Sequence, residues 1–216
     1  MAVIINGDTG ITTPGVVNSA AETIATTLSV TGASTLTGAV TASSTLGVTG
    51  AITGSSTVAG STGILYPLTS GTAVASTSGT SIDFTSIPSW VKRITVLFSG
   101  VSTNGSSLVI VRVGSGSVTT TGYVSTASTS GANATSTAGF LVNYVADATY
   151  FYRGQLQITL ISGTTYVASG NNALSAINCS VSAGDVTLSG VLDRIRLTTV
   201  NGTDTFDAGT VNILYE

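Results

Sequence analysis

Between Glu22 and Asp83 the chain carries no Asp, Glu, Lys or Arg, and within that stretch its large aliphatic residues obey a strict parity. Ile24, Leu28, Val30, Leu36, Val40, Leu46, Val48, Ile52 and Val58 all occupy even positions, while the odd positions from 25 to 59 hold only Ala, Thr, Ser and Gly. A period of two is that of a β-strand, whose successive side chains point to opposite faces; a helix would scatter these residues around its axis. The pattern also repeats, since Leu28 and Val30 recur as Leu46 and Val48, and Val40 as Val58, all at one spacing. Repetition at that scale indicates a fibrous or stacked element.

Such a strip cannot stand alone. About 1.5–3 kcal/mol per buried aliphatic side chain, from one residue in roughly four, does not offset about 1–2 kcal/mol of backbone entropy for every residue ordered. Identical copies around an axis would pair its backbone and cover its apolar edge. The expectation is therefore a homotrimeric β stalk over residues 23–62, with Leu28, Val30, Leu36, Val40, Leu46, Val48, Ile52 and Val58 as its inward spine and Thr and Ser outside.

Composition removes several functions. Six Lys+Arg in 216 residues and a sequence pI near 4.6 leave no basic surface to neutralise a phosphate backbone, so no nucleic-acid partner is expected. One Cys and no His supply neither a disulfide, nor a Cys/His metal set, nor a Ser-His-Asp or Cys-His nucleophile. The start, Met1-Ala-Val-Ile-Ile-Asn-Gly-Asp, lacks a basic segment and reaches Asp8 where a signal peptide would still be apolar, and no apolar run is long enough for a membrane helix. The reading is a protein without cofactor, metal, membrane insertion or enzymatic chemistry.

Beyond about Ile64 the chain gains all its Tyr and Phe and most of its charge, enough for a domain with its own core over 63–216. Short alternating runs share faces: Ile94, Val96 and Phe98; Val109, Val111 and Val113; Leu156, Ile158 and Leu160; Ile177, Cys179 and Val181; Ile195 and Leu197; Val211, Ile213 and Tyr215. Turn signals separate them at Asn104-Gly105, Ser162-Gly163 and Asn201-Gly202. Many short strands without a convincing helical stretch predict an all-β fold, an antiparallel β-sandwich or jelly-roll head. Residues 1–22 form a third segment, with a short helix near Val17 to Ile24, placed to attach to a larger body.

The best candidates for ligand contact are Tyr150, Tyr152 and Arg153, near Asp147, because aromatic faces stack on sugars while Arg and Asp bond hydroxyls or anions. The competing reading places these rings in the core. Arg194 and Arg196 alternate with Ile195 and Leu197 and are expected to pair between subunits with Asp193 or Asp185. Asp204 and Asp207 have the look of a carboxylate pair, but an Asn-Gly turn usually uses such residues to cap itself. Cys179, grouped with Ile177 and Val181, is expected to be a buried, inert thiol.

The opening IINGDTGITTP, the run LSVTGASTLTGAVTASSTLGVTGAITGSS, IPSWVKRITVLFSGVSTNGSS and the closing FDAGTVNILYE together resemble a bacteriophage tail fibre protein. The resemblance implies a virion component: a parallel homotrimer attached through its N-terminus to a tail or head protein, with a distal head that adheres to a bacterial surface glycan or protein. The chain is short for that family, which leaves open a head fibre or connecting fibre that docks another virion protein. A tailspike enzyme degrading host polysaccharide is the reading from another class.

Overall fold

The computed structural model divides into two compact units, Met1–Thr53 and Gly54–Glu216, and describes Ala33 and residues 58–60, 63–65, 67–129, 131–175 and 178–216. The proposed attachment segment, the short helix and the spine positions from Leu28 to Ile52 lie outside the described residues. Val58 is the exception; it lies in β1 (Val58–Gly60), which pairs with β2 (Gly63–Leu65) of the same chain through Val58 opposite Leu65.

Among the described residues none is helical, and all strand pairs are antiparallel. After the first pair come β3 (Thr69–Ser70), β4 (Val74–Ala75), β5 (Ser81–Phe84), β6 (Arg93–Thr103), β7 (Val109–Ser115), β8 (Ser117–Val118), β9 (Val124–Thr129) and β10 (Ala132–Ser136). The chain continues through β11 (Phe140–Leu141), β12 (Tyr152–Ser162), β13 (Thr165–Leu174), β14 (Asn178–Thr187), β15 (Arg194–Thr199) and β16 (Phe206–Tyr215). The larger sheet runs β10-β9-β14-β13-β12-β6-β16-β3 with β4 also against β16, and the smaller runs β11-β7-β15-β5 with β8 on β7.

Period-two alternation puts one face of each sheet into a shared core. Ile94, Val96, Phe98, Leu156, Ile158 and Val211 come from the larger sheet, and Val111, Val113, Ile195 and Leu197 from the smaller. Tyr123 fills the gap ahead of β9: its ring meets Phe140 edge-on at 5.0 Å and 89°. Its hydroxyl accepts from Val113 N at 2.8 Å and donates toward the carbonyls of Thr119 at 3.1 Å and Val113 at 3.2 Å. Burial pushes its pKa up to about 12, against the smaller lowering effects of the Val113 bond and Arg112.

One strand departs from the expected face. Cys179 is exposed and Val181 is 56% exposed, whereas Ser180 and Ser182 point inward. The far end of β14 explains the choice, because Val186 and, just beyond the strand, Leu188 share parity with the two serines and are buried. A slip of one residue would turn both aliphatic side chains out to solvent. Gly170, paired with Ser182, leaves room for the inward hydroxyl: a Cβ there would lie 2.9 Å from Ser182 Oγ.

Candidate functional site

The outer face of the larger sheet carries the described residues best arranged to hold a ligand. On β12, Leu156 and Ile158 face the core, so Gln155 and Gln157 face outward. Register then sets their neighbours: Gln155 lies opposite Leu97 of β6, itself opposite Asn212 of β16, while Gln157 lies opposite Thr95, itself opposite Leu214. The result is a ladder of side-chain amides and hydroxyls flanking Leu97 and Leu214.

Two depressions of about 280 Å³ and 320 Å³ lie along this ladder and share Leu97 as a wall. Leu68 and Tyr215 border the first, which ends at the ion pair of Arg93 and Glu216. Ser99, Thr210, Asn212 and the Gly154 backbone border the second. Gln157 Nε2 donates to Thr159 Oγ1 at 3.3 Å and Asn212 Nδ2 to Ser70 Oγ at 3.2 Å, leaving the outward amide of Gln155 unengaged by any described residue. The trough thus offers donors and acceptors around an aliphatic floor, with formal charge confined to its ends.

The three residues singled out in the sequence are divided by the fold. Tyr152 is 1% exposed and shares the inward parity of Leu156 and Ile158; its hydroxyl donates to Val145 O at 3.2 Å, and burial raises its pKa. It is a core residue, which removes it from a sugar-stacking platform. Tyr150 is half-buried and packs against the same core. Arg153 alone faces solvent; it lies opposite Ser99, at the end of the trough remote from Arg93, with its guanidinium carbon 5.7 Å from the centre of the Phe151 ring. Asp147 does not reach it, being occupied by Thr149 through N at 2.9 Å and Oγ1 at 2.8 Å, bonds that hold its carboxyl below the usual range.

The other charged candidates are engaged within the chain. Arg194 binds Asp193, next to it in sequence and one of the two expected partners, at 2.7 Å within the chain, and Arg196 grips Asp83 of the neighbouring strand with two bonds. Asp204 organises its turn, accepting from Ser107 N at 2.9 Å and Asn201 Nδ2 at 2.6 Å. Asp207 is exposed on β16.

No family model, curated protein or solved structure matches the chain.

Proposed function

We propose that the chain is a bacteriophage fibre subunit that acts by adhesion: a homotrimer held to a tail or head protein of the virion through residues 1–22, extended by the β stalk of residues 23–62, and gripping the bacterial surface through its all-β head. The observation that supports adhesion by the head is the trough along β12, β6 and β16. Planar amides and hydroxyls around Leu97 and Leu214 suit a ligand rich in hydroxyl groups and poor in charge, which amides bond in pairs while C–H faces lie on the aliphatic floor. A surface glycan has that chemistry. The supporting sequence feature is the charge-free, strictly alternating strip that precedes the head.

The test is binding of the labelled intact chain to host cells. Gln155→Ala combined with Gln157→Ala removes two amides and no core contact, so binding should fall at least tenfold with the melting temperature unchanged. Unaltered binding by the folded double variant would overturn the trough as the adhesive surface.

A further inference from the structure

Beside the trough, the same sheet face changes character. Across the outer positions of β9, β14 and β13, beyond Gln155 and Gln157 of β12, small and aliphatic residues prevail over the single amide of Asn171, with Val124 65% exposed, Val181 56% and Val167 37%, and Cys179 and Ala183 also open to solvent. The charged side chains at its margins are Asp185 on β14 and Arg153 near the start of β12. Register puts them at opposite corners: Asp185 lies across from Val124 and Val167, whereas Arg153 lies three side-chain rows away and two strands over, across from Ala173 and thence Cys179. At about 3.3 Å per residue and 4.8 Å per strand the corners are roughly 20 Å apart, too far to pair within one chain. Neither carries a salt bridge in the described residues.

We propose that this half-face is the contact between heads, and that its occupant is a second copy of this chain, whose Arg153 meets Asp185. A heterologous contact places the β9–β14 strip of one copy against the β13 strip and the Arg153 corner of the next, so each copy contributes both a carboxylate and a guanidinium and like charges never meet. Area agrees with a tethered copy rather than a free partner. Three strands by about six residues cover roughly 300 Å², less than half of the roughly 800 Å² per partner in a stand-alone interface. Copies joined through a common stalk meet at an effective concentration on the order of millimolar, where so small a contact suffices. The Leu97 trough stays open alongside the seam. The proposal rests on the fibre reading for the number of copies.

Cys179, the chain's single thiol, sits on this face and reports on it without an engineered cysteine. The intact chain is sized by sedimentation and its thiol timed against a bulky maleimide. The expected result is a trimer whose Cys179 reacts at least tenfold more slowly than in Asp185→Arg or Arg153→Asp, with protection restored in the doubly reversed chain. A trimer with a freely reactive thiol would overturn the contact and leave the fibre reading intact. Protection unaffected by either reversal, or not restored by both, would overturn the Asp185–Arg153 pairing. A monomeric chain would overturn the fibre reading and this contact with it.

Discussion

Arg196 and Asp83 stand directly opposite each other on β15 and β5, joined by Nε to Oδ1 at 2.6 Å and by a terminal guanidinium nitrogen to Oδ2 at 2.7 Å. The pair links neighbouring strands of one chain, and with side chains 36% and 37% exposed it is partly screened by water. A two-bond fork at that exposure is worth about 0.5–1 kcal/mol. A double-mutant cycle with Arg196→Gln and Asp83→Asn in urea should return a coupling of that size, smaller in 1 M salt and independent of protein concentration. Coupling that grew with concentration would move the pair to a subunit contact.

Tyr123 should make the head sensitive to alkali. Its phenol is favoured neutral in the folded chain, with a pKa raised from 10.0 to about 12 by burial. The stabilisation is therefore complete below about pH 10 and is lost as the pH rises through about 12, to the extent of roughly 3 kcal/mol. Tyr123→Phe leaves Val113 N without its hydroxyl partner and should cost about 1–3 kcal/mol at pH 8, while flattening the alkaline decline. Tyr152, raised in the same direction, keeps some decline in the variant. Urea midpoints from pH 8 to 12 test both; parallel curves for wild type and variant would contradict the assignment.

Gly154 and Gly116 both have positive φ, +138° and +70°, yet they differ in their surroundings. A Cβ at Gly154 would lie 2.2 Å from Asn171 O and 3.0 Å from Asn172 Cα, whereas one at Gly116 meets nothing. Gly116→Ala should cost about 1 kcal/mol from backbone strain alone, and Gly154→Ala at least about 2 kcal/mol because the neighbouring strand backbone must also shift. Equal melting temperatures for the two variants would show that β13 yields freely.

Tyr152→Phe separates stability from adhesion. Loss of the bond to Val145 O should destabilise the head by about 1 kcal/mol, and host-cell binding should be unchanged because the ring stays in the core. Gln155→Ala should do the reverse, weakening binding about fivefold with no change in the thermal midpoint. Thermal melts and cell-binding titrations on the same preparations decide between these patterns.

Alternation made much of the head legible. The faces of Ile94 to Phe98, Val109 to Val113, Leu156 to Leu160 and Val211 to Tyr215 read directly, because a large aliphatic or aromatic residue falls at every second position. The same rule misplaced Cys179 and Val181, since the buried Ser180 and Ser182 are small and polar and the parity of β14 is decided by Val186 and Leu188 further along. Tyr152 was legible too: its even number already grouped it with Leu156 and Ile158, against the clustering of aromatics that suggested a surface platform. The trough was hidden because Gln155, Leu97 and Asn212 meet through strand order, with β6 between β12 and β16, and short-range spacing carries no record of that.

The most direct measurement on the fibre reading is the mass of the intact chain by sedimentation equilibrium after placing one carboxylate on either side of the proposed stalk. In Val48→Asp, three carboxylates would gather on an apolar axis, a like-charge cluster that costs several kcal/mol per trimer or forces protonation. In Thr49→Asp, one residue away, each carboxylate would sit in water. The expected result is a trimer for the unaltered chain, made of 21.4 kDa subunits, a trimer for Thr49→Asp, and dissociation for Val48→Asp at micromolar concentration. An unaltered chain that is monomeric, or equal tolerance of both substitutions, would contradict the inward spine and the fibre built on it.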